Sequence, residues 1–389
     1  MAPRMADSVG FAPIENEAPL RWLRRLHLVP NDGLGARRRA LFLALLTWLP
    51  IFAWAVLTGR ATASSGESLM HHYGVHVRCL VVIPLLILAE PMLQHKLQSI
   101  RTKLAQTALA DPLMRERFDA ARAGVVRLWR ASLPWVLVVG VAIAWSLVDR
   151  AHDYEDAMSW ALDGSGGLGF GGWWFGYVVR PIFLVLLLGW LWRILLISWW
   201  FWRVGRLDLS LVPTHPDRAG GVAFVEKLPS AFALVTFALS AQLASRWAHE
   251  ILHHAASLAN FRQPAILFAV LWTLLLLLPL FGLAPALNRA RRRAVAEYSQ
   301  LVGKLGRLVH RRWIEGERVP DEPILDAPEI GPVADAAAIY ESVKKMRRVP
   351  VGKSSIIMII VPLAIPLALA AALQIPLKEL LLKLVKTML

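Results

Sequence analysis

The sequence predicts an all-α fold, a polytopic transmembrane helical bundle of about seven spans with a cytoplasmic N-terminus and small helical cytoplasmic excursions. Three observations lead there. Apolar runs of about eighteen residues or more recur along the 389-residue chain, each long enough to cross a hydrocarbon core. Composition agrees: 56% of residues are hydrophobic and mean hydropathy is +0.49, which overrides the soluble domains that length alone suggests. The formal charge of +15 sits beside the runs, where Lys and Arg hold loops inside and meet anionic lipid headgroups. That placement, with little aromatic interleaving on the basic faces, assigns the charge to topology and lipid and argues against nucleic acid.

Residues 1–40 form a basic cytoplasmic segment. Its stretch around Arg21, Trp22, Arg24 and Arg25 mixes apolar and basic faces and is expected on the membrane surface, and Arg37 to Arg39 then abut the first span. Residues 41–287 are the six-span membrane region, with crossings expected at 41–57, 75–93, 131–148, 177–202, 229–247 and 264–287. The first is long enough to be an uncleaved anchor, not a signal h-region. Between the second and third, residues 94–130 are amphipathic and predict a cytoplasmic helical hairpin, with Asp111-Pro112 as N-cap and first helical position.

The loop after the third span is acidic (Asp149, Asp153, Glu155, Asp156, Asp163) and ends in a glycine run, 164–172. That run has no preceding strand and no Lys-Ser/Thr ending, so it is not a phosphate loop. Trp173/Trp174 and Trp199/Trp200/Trp202 bracket the fourth span as interfacial aromatics. Residues 288–354 return to the cytoplasm behind Arg289, Arg291, Arg292 and Arg293. They predict a helix to about 313, a Pro- and acid-rich linker at 319–332 and a short helix at 333–346. Residues 355–389 form the last span and an amphipathic tail. Pro362 and Pro366 leave a re-entrant hairpin as the alternative to a full crossing. Every basic loop then falls inside, and the acidic and His-rich loops outside. Cys79 is the one cysteine, so no intrachain disulfide forms.

Three places carry chemistry. Arg193 lies within the fourth span and Glu90 near the inner end of the second. A guanidinium in hydrocarbon needs a partner, so the two are expected to pair, as a register-fixing ion pair or as a polar step in a solute path. Gln242 and Gln374 are the other notable polar candidates within spans. The cytoplasmic loop Arg206 to Gly221 is dense in backbone constraint: Pro213 and Pro216 fix φ, Gly220 and Gly221 permit unusual φ, and Asp217 is placed to cap the next helix. Arg218 and the N–H groups at that helix start suit a phosphate, or a rigid interfacial turn. His249-Glu250-x-x-His253 has the spacing of zinc peptidases: two His share one helix face, and Glu is a general base for zinc-bound water. His71, His72, His76, Asp149 and Asp153 are candidates for a third ligand on the same side.

The stretch Arg203 to Phe224, which contains Leu-Val-Pro213-Thr-His215-Pro-Asp217-Arg218-Ala-Gly220-Gly221, resembles the signature loop of an uncharacterised group of bacterial multi-pass inner-membrane proteins. Asp321-Glu322-Pro323, Met346-Arg-Arg-Val-Pro350 and Pro376-Leu-Lys-Glu are similar to further segments of that group. The likeness runs from the fourth span to the end. It implies architecture and location in a bacterial inner membrane, but no catalytic residue, and His249/Glu250/His253 lies outside the signature. The leading functional reading is a non-enzymatic scaffold or regulator acting through its cytoplasmic face, without a cofactor. The alternatives are an ion or solute carrier using Arg193 and Glu90, and a zinc hydrolase. Protein partners and oligomeric state, a homo-oligomer included, stay open.

Overall fold

The computed structural model describes residues 14–25, 33–62, 68–107, 112–148, 159–161, 167–253, 256–317 and 331–373. Helices are the regular structure of these residues, with no strand among them. We number the helices α1 Ala18–Arg25, α2 Ala36–Leu57, α3 Tyr73–Thr107, α4 Pro112–Arg130, α5 Leu133–Val148, α6 Phe170–Gly205, α7 Ala223–His253, α8 Leu258–Phe281, α9 Ala284–Val309, α10 Gly331–Lys344 and α11 Lys353–Ala371.

Six helices (α2, α3, α6, α7, α8 and α11) are long and apolar enough to cross a membrane. The sixteen-residue apolar α5 makes a seventh when it is counted as one bent span with α4, to which it is joined across a 42° bend. α4 carries Arg115, Glu116, Arg117, Asp119, Arg122 and Arg127, so it does not continue the apolar run. The end of α3 and α4 supply the two helices expected at 94–130; the connection between them, with the Asp111 cap, lies outside the described residues. Lipid as surrounding solvent explains the outer faces. Leu133, Leu137, Val141 and Trp145 of α5, and Leu267, Leu271 and Leu274 of α8, are all exposed, which water would penalise at this density.

The core lies where α3, α6 and α7 meet, around Leu86, Trp190, Trp200, Phe201 and Phe232. Hydrocarbon offers buried polar groups no water, and two buried indoles find acceptors across helices: Trp190 donates to the Leu86 carbonyl at 3.0 Å and Trp272 to Thr236 Oγ1 at 3.0 Å. Trp173 and Trp202 are exposed as interfacial residues should be, but Trp200 is fully buried against Phe118 and Phe201, a core residue and not part of a girdle. α6 and α8 cross backbone to backbone at Gly205 and Gly282. A Cβ on Gly205 would collide with the Gly282 carbonyl, so both positions need the small residue.

α11 is one helix despite Pro362 and Pro366, so within the described residues the re-entrant alternative gives way to a span. It packs along α7, whose Ser240 hydroxyl donates to the Leu363 carbonyl between the two prolines at 2.5 Å. Residues 374–389, including Gln374 and the tail, lie outside the described residues, as do Asp149, Asp153, Glu155, Asp156, Asp163, His254 and Asp321 to Pro323.

One expectation is overturned. α1 does not merely lie on a surface. Leu20 and Ala18 are buried, Ile14 joins the core, and Arg21 donates to the Arg130 carbonyl at the end of α4. The reason sits one residue before the helix, at Glu17.

Candidate functional site

Arg193, on α6, is 4% exposed, and Glu90, on α3, is 1% exposed. They pair as the sequence suggests: Arg193 Nη2 donates to Glu90 Oε1 at 2.8 Å. The pair is half of a larger set. Glu17 takes Arg193 in a two-pronged bond, Nε to Oε1 at 2.8 Å and Nη2 to Oε2 at 2.6 Å. Arg39, from α2, donates to Glu90 Oε2 at 2.6 Å, and Trp129 Nε1 of α4 donates to Glu17 Oε1 at 2.7 Å. Two guanidinium groups meet two carboxylates, and all four carboxylate oxygens hold a donor. The Trp190 ring lies 5.0 Å from the Arg193 guanidinium carbon and adds a cation–π contact.

This arrangement answers the physical problem of charge in a low-dielectric interior, where pairing must be geometrically complete to offset desolvation. It ties the N-terminal segment, α2, α3, α4 and α6 together at one point. Beside it, Gln94 donates to Glu15 Oε1 at 2.6 Å. Sequence reasoning missed Glu17 and Arg39. Arg39 reads as one more inside-loop cation, yet it is buried while its neighbours Arg37 and Arg38 are exposed. Glu17 precedes a basic stretch that pattern assigns to the surface. The available signal was arithmetic: two arginines near the span ends against one visible carboxylate.

At the same end of the bundle, the loop from Arg206 to Gly221 is held from within. Asp217 accepts N–H bonds from Ala219 at 2.8 Å, Gly221 at 3.1 Å and Ala223 at 3.0 Å, and His215 Nδ1 lies 2.9 Å from its Oδ1. Ala223 opens a 3₁₀ turn into α7, so Asp217 caps the helix as expected, from six residues upstream. The first N–H of the helix, that of Ala223, is therefore engaged by the chain's own carboxylate, as are two N–H groups of the loop before it. Burial alone would raise the Asp217 pKa; the backbone N–H donors overcome that and hold it below the ordinary value of 3.8. Gly220 and Gly221 have φ of 67° and 91°, and Arg218 shares the left-handed region at 56° with its side chain exposed.

The Met346 segment, separate in sequence, closes on this loop. Arg347 N–H donates to the Arg218 carbonyl at 2.7 Å, its guanidinium to Glu226 at 3.0 Å, and Met346 faces Gly220. Arg206 lies 3.6 Å over the Trp202 ring. Asp208 pairs only loosely with Arg293, at 3.5 Å and largely exposed. Between residues 207–213 and α9 lies a cavity of about 370 Å³ lined by Asp208, Ser210, Pro213, Arg289, Arg293 and Glu297. Arg289 fixes its floor by donating to the carbonyls of Gly205 and Leu207.

The opposite end of α3 and α7 gathers histidines. His249 and His253 share a face with ring centroids 4.7 Å apart, His71 lies 5.5 Å from His253 and His72 lies 5.0 Å from His249. Their nitrogens are turned to other work: His249 Nδ1 contacts the His71 carbonyl, and His72 Nδ1 the Ser68 carbonyl. His76 turns to α2, accepting from Trp48 Nε1 at 2.9 Å. Among the described residues no three His, Cys, Asp or Glu side chains form a group that could hold a metal ion. Glu250 lines a cavity together with His72, His249 and Gln242. No protein-family model, curated protein or solved structure matches this chain, so its fold and sites rest on the residues described above.

Proposed function

We propose that this is a bacterial inner-membrane protein, N-terminus inside, that works as a non-enzymatic scaffold or regulator through its cytoplasmic face. The observation that carries the reading is Glu17 closing on Arg193. A carrier's intramembrane charge must exchange its partners for solute or water, whereas Arg193 holds two carboxylates and a tryptophan face at 4% exposure. The anchor it makes serves the surface outside the bundle. On that surface, the loop pinned by Asp217 and the Arg289-floored cavity offer a preformed shape to a partner.

The test is a photo-cross-linking side chain at Glu297, on the cavity wall, in native membranes. A discrete protein adduct is expected, reduced when Asp217→Ala unmoors the loop. Adducts to lipid alone, or solute flux into proteoliposomes that vanishes in Arg193→Met, would overturn the reading. Fusions reporting Arg293 on the far side of the membrane would overturn its topology.

A further inference from the structure

We propose that the cavity between the docked N-terminal segment, the start of α2 and the middle of α3 binds a phosphoethanolamine group, its phosphate at the first turn of α2 and its ammonium at Glu15 and Gln94. The inference is independent of the scaffold reading, because this cavity is not the one floored by Arg289. Glu15 stands two residues before Glu17, so the contacts that dock Glu17 on Arg193 also bring Glu15 to this wall. The cavity holds about 320 Å³, and its walls include Glu15, Gly35, Arg37, Gln94, His95 and Gln98.

One wall suits an anion. α2 runs 22 residues from Gly35, which has φ of 56° and no side chain to cap the helix, and its first turn holds no acidic residue. The first N–H groups of an α-helix have no partner inside the helix, and the aligned peptide dipoles leave a partial positive charge there. Where such an end favours an acid, α2 begins instead with Arg37, Arg38 and Arg39. Arg39 is taken by Glu90, while Arg37 lines the cavity and is exposed. A phosphate satisfies a guanidinium and helix-start N–H groups together.

The other wall suits a cation that donates hydrogen bonds. Gln94 is 9% exposed, and its amide N–H donates to Glu15 Oε1 at 2.6 Å. A carboxylate only accepts, so this bond fixes which end of the amide is which. The atom left over is Gln94 Oε1, buried and without a donor, and a buried carbonyl oxygen in that condition is costly. A primary ammonium has three N–H donors, enough to reach this oxygen and the Glu15 carboxylate at once. An anion site and a cation site in one cavity match a zwitterion better than either ion alone. Phosphoethanolamine carries both charges across a short ethylene bridge, and the volume, that of about ten waters, admits it. α2 is long and apolar enough to cross a membrane, so its first turn stands at the level where headgroups lie.

The shared chemistry is the phosphoethanolamine group; its source is a lipid headgroup or a dissolved phosphodiester. The protein is purified in uncharged detergent and its unfolding temperature followed against glycerophosphoethanolamine. Glycerophosphocholine, whose ammonium has no N–H, is the control. A parallel arm compares nanodiscs of phosphatidylcholine with and without phosphatidylethanolamine. A saturable rise with glycerophosphoethanolamine is expected, its half-effect concentration raised roughly tenfold in E15Q, the loss of one charge-assisted contact. R37Q should raise it by a smaller factor, and R38Q, off the cavity wall, should leave it unchanged. A rise confined to the phosphatidylethanolamine nanodiscs, and lost in E15Q, assigns the site to a lipid headgroup. No rise in either arm, rises equal in wild type and E15Q, or an equal rise with the choline compound would overturn the proposal. Should E15Q fail to fold, Q94M carries the same comparison.

Discussion

Arg193 and Arg246 are both arginines on membrane helices of one bundle, yet their surroundings differ in kind. Arg193 is buried, its charge cancelled by Glu17 and Glu90 in a set where every oxygen has a donor. Arg246 is exposed at the mouth of a cavity. The first arrangement is closed by the chain's own groups; Arg246 stands at a rim open to solvent. Charge inside a membrane protein is thus not one signal. How much of the fold hangs on it depends on whether it is buried against the chain's own counter-charge or left in contact with water.

Removing one member of the closed set should show the sharpest contrast. Glu17→Ala leaves Arg193 with one partner in a dry site and should cost about 3–5 kcal/mol in mixed-micelle unfolding. Arg246→Gln should stay within about 0.5 kcal/mol. Equal losses would erase the distinction. Trp129→Phe removes one donor to a buried carboxylate and should cost about 1.5–3 kcal/mol, a graded version of the same test.

Asp217→Ala should cost about 0.5–2 kcal/mol, the loss of a helix cap. Its pH dependence has a definite sign. The folded pKa is depressed, so the stabilisation is present above the unfolded value of 3.8 and is lost as pH falls through the lower folded value. Wild type should therefore lose more stability than Asp217→Ala below that pH, and parallel curves would show the cap to be inert. The smallest effect belongs to Asp208→Asn. Its ion pair with Arg293 is long and solvated, so unfolding temperature should not move measurably, while a clear drop would mean the inner cavity depends on it.

The spans were legible because apolar length is a local property. The segments expected at 41–57 and 229–247 correspond to α2 and α7 within about six residues at each end, the last span expected within 355–389 is α11, and the helices expected after Arg289 are α9 and α10. The Arg193–Glu90 pair was legible because charges within apolar runs are rare. Glu17 was not, because its partner lies 176 residues away and nothing in its neighbourhood marks it as buried. The reach of Asp217 was hidden for the same reason: the sequence shows it as a cap for one donor, and only the folded turn shows it taking the helix's first N–H at Ala223 together with the loop N–H groups of Ala219 and Gly221. The His249/His253 spacing was read correctly as one face, but where ring nitrogens point is decided by neighbours that spacing does not encode.

The two-pronged bond between Glu17 and Arg193 also imposes an order on biogenesis. Glu17 leaves the ribosome long before Arg193 is made, and Arg39 and Glu90 become available to each other in between. The N-terminal segment must therefore wait, undocked, until the helix bearing Arg193 has been threaded, and its docking then reports that the first half of the bundle is in place. A chain arrested upstream of that helix would keep a loose, protease-sensitive beginning, and quality control has a ready mark by which to know it.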